Sequence, residues 1–177
     1  GAYVLTKEAD HKPTLMVGCD TRISGDMLAN ALMAGACSVG ANCIYVGVVP
    51  TPAIAYLTKT GIADAGVVIS ASHNPVEFNG IKFFNGEGYK LSDDLEDEIE
   101  ALIANDMEDV IFPIGPGIGK VDYRFDIVDE YIKFEEKTVP VDLSGMKIVI
   151  DCAEGASSYT SVKALQDLGA DLVAIHT

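Results

Sequence analysis

Apolar runs alternate with helical patterns along most of the chain. Short continuous apolar runs are typical of strands buried on both faces of a sheet, and they predict strands at 14–18, 43–49, 65–71 and 81–84. Apolar positions that recur every three or four residues predict amphipathic helices at 26–40, 51–60, 92–106 and 124–137. This alternation indicates an α/β fold with a mixed, mostly parallel sheet sandwiched by helices.

The same alternation divides the chain into two parts. Residues 1–138 contain enough strands and helices for one core. Residues 138–145 have the composition of a linker, after which the pattern restarts with a strand from Met146, a helix at 159–169 and a strand at 171–176. Two strands and a helix are too few for an independent core. We therefore expect one domain at 1–138 and, at 139–177, the start of a second, similar α/β domain.

Two helices carry more detailed signals. In the helix at 26–40, the expected buried stripe consists of Leu28, Leu32, Ala36 and Val39. In the helix at 51–60, Thr51 is the expected N-cap, followed by Pro52 at the first helical position.

The helix at 92–106 is strongly acidic in its first turn. Ser92 or Asp93 is the expected cap, and Leu95, Ile99 and Leu102 form the expected buried stripe. The acidic run is more typical of a solvated helix face than of a metal site.

The charge of the chain limits its partners. The formal net charge is −15 over 177 residues, which argues against nucleic acid and against anionic membranes as partners. No apolar run reaches the roughly 18 residues of a membrane span, and the N-terminus lacks the pattern of a signal peptide, so we expect a cytoplasmic protein. An anionic substrate would need a local basic pocket in this acidic surface.

A polar loop follows the third predicted strand. Ser70, Ser72, His73 and Asn74 lie where the strand ends, and Pro75 favours an extended conformation for Asn74. In open α/β sheets, ligands bind beyond the carboxyl ends of the strands. A rigid loop that presents a hydroxyl and backbone N–H groups would suit phosphoryl transfer, which depends mainly on positioning and charge neutralisation.

Other interpretations of this loop stay open from its residues alone. It could be an ordinary polar turn. A Ser/His hydrolase is disfavoured because there is no Gly-x-Ser-x-Gly motif and because Ser72 and His73 are adjacent. A metal site at His73 is disfavoured because no second histidine lies nearby at ligand spacing.

Two cations lie in neighbouring predicted loops or strands. Arg22 follows the first strand, and its five N–H donors would suit a phosphate. Lys82 lies a few residues beyond the serine loop, on a strand that could run back beside it. Either residue alone is usually a solvated surface cation, but together with the serine they indicate an anion pocket.

Three segments of the chain resemble the α-D-phosphohexomutase family. "GVVISASHNPVEFNGIKFF" resembles the phosphoserine signature of that family, "VGCDTRISGDML" resembles the arginine loop of its first domain, and "LSGMKIVIDCAEGAS" resembles the opening of its second domain. The resemblance covers nearly the whole chain, in order. The residues around the serine are most similar to members that act on glucosamine phosphates, with members that act on mannose and glucose phosphates as close relatives.

The resemblance implies a mechanism. Ser72 would be a phosphoserine that passes its phosphoryl group to O1 of a sugar 6-phosphate, and would take one back from O6 of the bisphosphate after it reorients. Arg22 and Lys82 match positions that bind substrate and stabilise charge or transfer protons. His73 and Asn74 would shape the catalytic loop, and Ser70 would support it.

The resemblance also implies cofactors and partners. One Mg²⁺ would bind the Ser72 phosphate, with its remaining aspartate ligands outside this chain, and glucose or glucosamine 1,6-bisphosphate would act as activator. The partner would be a sugar phosphate, and the resemblance leaves a homodimer of the full-length protein open. A non-catalytic sugar-phosphate binding module is the alternative from another functional class. Compared with the family, the chain lacks the Asp-Gly-Asp-x-Asp-Arg loop, the first strand of domain 1 with its Gly-Ile-Arg-Gly motif, and the third and fourth domains. It also has Glu154 where asparagine is more usual in the family. We therefore expect an N-terminal fragment that is inactive by itself.

Overall fold

The larger of two sheets carries most of the core. A computed structural model of the chain describes residues 1–7, 9–108, 110–139 and 141–177. Five strands form this sheet in the order β4-β3-β1-β2-β5: β1 (Thr14–Cys19), β2 (Asn42–Val48), β3 (Ala65–Ile69), β4 (Ile81–Phe84) and β5 (Val121–Tyr123). All neighbours are parallel except β3 and β4, which are antiparallel. The predicted mixed, mostly parallel sheet is confirmed.

Helices cover both faces of this sheet. On one face, α1 (Ala2–Thr6) and α2 (Gly25–Ser38) pack over a cluster that includes Leu15, Val17 and Val67. On the other face, α3 (Thr51–Leu57) and α5 (Val128–Thr138) pack over a cluster that includes Met16, Val46, Val68, Ile54, Leu57 and Ile132. Alternation along each strand sends successive side chains to opposite clusters, which explains why β1 and β3 read as continuous apolar runs.

The buried stripe of α2 differs from the prediction by one position. Ala29, Met33 and Ala36 are buried, whereas Leu28, Leu32 and Val39 are only half-buried at its flanks. Small residues allow the helix backbone to approach the sheet closely, so the alanines face the strands and the larger leucines fill the sides. Of the four predicted positions, Ala36 alone is fully buried.

Three local predictions were wrong. Strand β5 was missed because its residues, Val-Asp-Tyr, are all exposed at the sheet edge and carry no apolar run. Helix α5 begins at Val128 rather than 124, after a tight turn at 125–127. Pro50, not Thr51, occupies the N-cap position of α3, so Thr51 and Pro52 are its first two helical residues.

The acidic helix α4 (Asp93–Ala104) follows Ser92 at its N-cap position, without a side-chain capping bond. Leu95, Ile99 and Leu102 are half-buried rather than buried, while the acidic residues Asp93, Asp94, Asp97 and Glu100 are exposed. The predicted solvated acidic face is therefore present, although the helix packs more loosely than expected.

The C-terminal part forms a second, two-stranded sheet. Strands β6 (Lys147–Asp151) and β7 (Asp171–Ile175) are parallel and are joined by α6 (Ser158–Asp167). Helix α6 packs against α5, and Thr160 is buried there. On one face of the strands, Val149 and Val173 are 71% and 56% exposed, which is a large apolar exposure for so small a sheet.

Within the ranges that the structure describes, no helix is both long and apolar enough to cross a membrane.

Candidate active site

The serine loop begins where β3 ends. The backbone N–H of Ser70 donates to the carbonyl of Gly80 at 2.8 Å, so the two ends of the loop lie side by side at the carboxyl end of β3. Ser70 is buried, and its hydroxyl accepts a hydrogen bond from the backbone N–H of Ser72 at 3.1 Å. Ser72 itself is exposed. Ser70 therefore supports the loop from below while Ser72 presents its hydroxyl to solvent.

Ser72 has a left-handed backbone conformation, with φ at 57°. A residue with a Cβ atom adopts this conformation at a cost of about 1–3 kcal/mol, so surrounding bonds must hold it. Such conformations are concentrated at functional sites, where they aim a side chain.

Arg22 holds this loop through its whole guanidinium group. The side chain is only 9% exposed and donates through Nε to Asp20 at 3.0 Å. Its other four N–H groups donate to backbone carbonyls of the serine loop at 2.8–3.0 Å: Nη1 to Pro75 and Phe78, and Nη2 to Ser72 and Asn74. All five donors of Arg22 are thus used within the protein.

A second pair of side chains fastens the end of the loop. The amide nitrogen of Asn79 donates to the hydroxyl of Ser24 at 2.9 Å, and the Asn79 amide oxygen accepts from the N–H of Gly80 at 2.8 Å. A Cβ atom at Gly80 would lie 3.2 Å from the Ser70 carbonyl, which favours glycine at this close approach. Neither Asn79 nor Ser24 was predicted; the Asn-Gly pair, a common turn signal, was the one local clue.

His73 and Asn74 lie on the exposed side of the loop. The Ser72 Oγ is 3.4 Å from the Nδ1 of His73, which is long for a hydrogen bond with a hydroxyl. In the described part of the chain, no further side chain hydrogen-bonds to the His73 ring. A Ser-His pair without a third, orienting group does not form a hydrolase triad.

Lys82 lies near the serine loop in the sheet but outside the cleft. It pairs with Val68 in the antiparallel ladder, one step from the Ile69–Ile81 pair at the carboxyl end of β3. Its side chain is half-buried and has no hydrogen-bond or ion-pair partner among the described residues. The structure therefore brings Ser72, His73, Asn74 and Arg22 together and leaves Lys82 off the cleft wall.

A buried thiol and a tyrosine hydroxyl lie at the start of the arginine loop, near the carboxylates of Asp20 and Asp26. The Cys19 Sγ lies 3.3 Å from the hydroxyl of Tyr45. Burial raises the pKa of the Cys19 thiol, and burial together with the hydrogen bond to Cys19 raises the pKa of the Tyr45 hydroxyl. Both groups therefore stay neutral near pH 7.

An open cleft of about 900 Å³ separates the serine loop from the second sheet. One wall consists of 20–22, 48–52 and 70–76, and the other of the turn after β6, at 153–159. The Thr21 hydroxyl donates to the carbonyl of Glu154 at 2.7 Å and bridges the two walls. The cleft lies at the carboxyl ends of β1, β2, β3 and β6, where α/β sheets bind ligands.

The described residues do not form a complete magnesium site. No group of three His, Cys, Asp or Glu side chains among them could hold a metal ion. Asp20, the carboxylate beside the loop, already uses both oxygens, which accept from the backbone N–H and the Nε of Arg22. Mg²⁺ needs near-octahedral oxygen ligation, and the Ser72 hydroxyl alone would supply one oxygen.

The site thus consists of an exposed serine on a loop held by side chains, beside a cleft at the carboxyl ends of parallel strands, where α/β sheets bind ligands. The sequence model for domain I of the phosphoglucomutase/phosphomannomutase family, an alpha/beta/alpha domain, matches residues 1–109. The chain belongs to this family.

Curated relatives give a more specific comparison. The chain is 59% identical over 176 residues to a phosphoglucosamine mutase of Clostridium novyi and 58% identical over 176 residues to that of Clostridium beijerinckii. Each alignment covers 99% of this chain but 39% of the relative. The chain therefore spans about two fifths of the length of these proteins.

Solved structures support the fold. A phosphoglucomutase/phosphomannomutase family protein from Burkholderia thailandensis matches with a TM-score of 0.75 at 25% identity, over 99% of this chain and 38% of that one. Parafusin, a phosphoglucomutase from Paramecium, matches with a TM-score of 0.67 at 18% identity, over 97% of this chain and 39% of that one, and supports the fold alone.

Proposed function

We propose that this chain supplies the phosphoryl-carrying serine of a phosphohexomutase. The observation that carries the proposal is the setting of Ser72: its hydroxyl is exposed beside the cleft, while its N–H and its carbonyl are both held by side chains. Membership of the phosphoglucomutase/phosphomannomutase family supports the reaction type.

In the proposed reaction, the sugar O1 of a 6-phosphate attacks the phosphorus of phosphorylated Ser72. The bond from phosphorus to Ser72 Oγ breaks, a bond to O1 forms, and the proton of the O1 hydroxyl leaves to a base. The bisphosphate reorients, and Ser72 Oγ then attacks the phosphorus on O6. The bond from phosphorus to O6 breaks, O6 takes up a proton from the protonated base, and the sugar 1-phosphate is left. Lys82 is off the cleft wall, but it lies one register step from the Ile69–Ile81 pair at the carboxyl end of β3, and its cation is unpaired among the described residues. On that basis we keep Lys82 as the candidate for charge stabilisation or proton transfer.

The proposed substrates are glucosamine 6-phosphate and glucosamine 1-phosphate. The support is that the relatives at 58–59% identity are named phosphoglucosamine mutases. Glucose and mannose phosphates are the second candidates, since the family includes phosphoglucomutases and phosphomannomutases. A cytoplasmic location is also proposed, on the basis of this sugar-phosphate chemistry.

We further propose a magnesium ion and a sugar 1,6-bisphosphate activator. The ion would bind the phosphate on Ser72, and the carboxylates that bind the ion would come from outside the described residues. The 177-residue chain alone should therefore bind Mg²⁺ weakly and show no turnover. The boundary between domains at 138 and 139 is likewise a proposal, supported by the separate two-stranded sheet.

The deciding experiment uses a protein that contains this chain and has the full length of the curated relatives. This protein is purified from cells and its intact mass is measured. The proposal predicts an added phosphate that maps to Ser72 and disappears on incubation with excess sugar monophosphate. A non-catalytic binding module would bind the sugar phosphate without a transferable phosphate on Ser72, and that result would overturn the proposal.

A further inference from the structure

We propose that Asp20 and Arg22 form a clamp that positions Ser72, and that Arg22 does not act as a free charge toward the substrate. This inference rests on the proposed function, because it concerns how the phosphoryl carrier is aimed. It assigns Asp20 and Arg22 as positioning residues that act through the backbone of the serine loop.

The hydrogen bonds of Arg22 carry the first step. Each of the five guanidinium N–H groups already has a partner at 2.8–3.0 Å inside the protein. A substrate phosphate could bind to Arg22 only after one of these bonds breaks. Four of the partners are carbonyls of one loop, so the planar guanidinium group binds the backbone at four positions between Ser72 and Phe78.

Asp20 holds the guanidinium group of Arg22 in place. Its side chain is 12% exposed; Oδ2 accepts from Arg22 Nε at 3.0 Å, and Oδ1 accepts from the Arg22 backbone N–H at 3.1 Å. The backbone N–H of Asp20 donates to the carbonyl of Ile69 at 2.9 Å, which ties the arginine loop to the end of β3. The clamp is therefore anchored on the same two strands from which both loops emerge.

The effect of the clamp falls on Ser72. Arg22 Nη2 holds the Ser72 carbonyl at 2.9 Å, and the Ser70 hydroxyl holds the Ser72 N–H at 3.1 Å. Ser72 has a left-handed φ of 57°, a conformation that a free serine would leave for the right-handed or extended regions. Loss of the clamp would move the Ser72 Oγ away from the position needed for phosphoryl transfer. A misplacement of about 1 Å can lower the rate about 10²-fold.

The substitution Arg22→Lys tests whether Arg22 positions the serine loop or acts as a charge toward the substrate. Lysine keeps the cation, but its point-like ammonium cannot join four carbonyls. The clamp predicts that Arg22→Lys lowers kcat about 10²-fold with KM changed less than about 3-fold. Asp20→Asn should act in the same direction, because an amide cannot accept both bonds that Asp20 accepts. If Arg22 stabilised substrate charge directly, Asp20→Asn would leave kcat unchanged, and both variants would leave amide exchange at 71–78 at the wild-type rate.

Arg124→Lys is the matched control. Arg124 also pairs with an aspartate two positions away, through Nε to Asp126 at 2.8 Å and Nη2 to Asp126 at 2.7 Å. This pair lies on the surface after β5, and among the described residues neither partner has a hydrogen bond or ion pair with the serine loop. The same chemical change there should leave kcat, KM and loop exchange at wild-type values.

Amide hydrogen exchange supplies a measurement that needs no activity. In the protein at the relatives' full length, Arg22→Lys and Asp20→Asn should accelerate exchange at 71–78 about 10-fold or more, without changing 14–19 or 65–69. Wild-type exchange at 71–78 in both variants, or acceleration spread over the strands, would overturn the clamp. If Arg22→Lys does not fold, Asp20→Asn decides. If amide exchange at 71–78 is faster in the variants but the wild-type protein has no mutase activity, the clamp is supported and the proposed function is overturned.

Discussion

The buried hydroxyl of Ser70 accepts a hydrogen bond from the backbone N–H of the exposed Ser72 at 3.1 Å. Two serines in one loop thus have different environments: one is part of the support and the other faces the cleft. This division predicts how each responds to substitution.

Ser72→Ala should abolish mutase turnover, because it removes the oxygen that carries the phosphoryl group. Ser70→Ala should reduce kcat about 5- to 10-fold and leave measurable activity, since it removes one supporting hydrogen bond worth about 1 kcal/mol. Steady-state assays with glucosamine 6-phosphate and a bisphosphate activator would measure both. The reverse ranking would show that Ser70 is the carrier.

Lys82→Ala should lower kcat about 10²-fold or more, as expected when a charge-stabilising group is lost. Its thermal stability should change little, since Lys82 has no ion-pair partner among the described residues. Lys90→Ala is the control: Lys90 pairs with Glu96 at 3.1 Å on the surface, and such pairs contribute about 0–1 kcal/mol. If the Lys82 variant melts much earlier and loses activity only in proportion, Lys82 is structural.

His11 should titrate above its ordinary pKa. A hydrogen bond to Asp10, and then the carboxylate of Asp64 at 2.9 Å, raise the pKa of His11 from 6.5. Because the folded pKa is raised, the stabilisation is complete below the unfolded value of about 6.5 and is lost as pH rises through the folded value.

An NMR titration of the His11 ring would measure this pKa directly. Asp64→Asn should lower it toward 6.5, whereas Asp94→Asn in the exposed face of α4 should not. A His11 pKa at or below 6.5 in the wild-type chain would contradict the prediction.

Glu154→Asn should stabilise the chain. Glu154 has a left-handed φ of 50°, in a region where asparagine is enriched over glutamate. Its contacts with His176 and Thr21 go through the backbone and survive the substitution. Relief of about 1 kcal/mol would raise the Tm by about 2–4 °C for a chain of this size, measured by differential scanning calorimetry.

Glu87→Asn, at an exposed position without positive φ, is the comparison for this substitution. It should leave the Tm within about 1 °C of wild type. A Tm that falls in Glu154→Asn but not in Glu87→Asn would show that the glutamate side chain itself stabilises the turn.

Hydrophobic pattern predicted the sheet well because burial acts locally along each strand. β1 and β3 are buried on both faces, so each of them is a continuous apolar run that the residues alone reveal. The serine loop was also located correctly, since the transition from an apolar run to Ser-Ala-Ser-His-Asn-Pro marks a strand end. β5 was missed because its exposed edge position places no constraint on its residue types.

The roles of the site residues depended on contacts between distant parts of the chain. Arg22 reaches carbonyls 50–56 positions away, and Thr21 bonds to a carbonyl 133 positions away. A backbone carbonyl is present at every residue, so a bond to one leaves no trace in residue type at the accepting end. The sequence alone therefore indicated that Arg22 and Ser72 belong to one site, and only the tertiary structure showed that the arginine uses all of its donors to hold the serine loop.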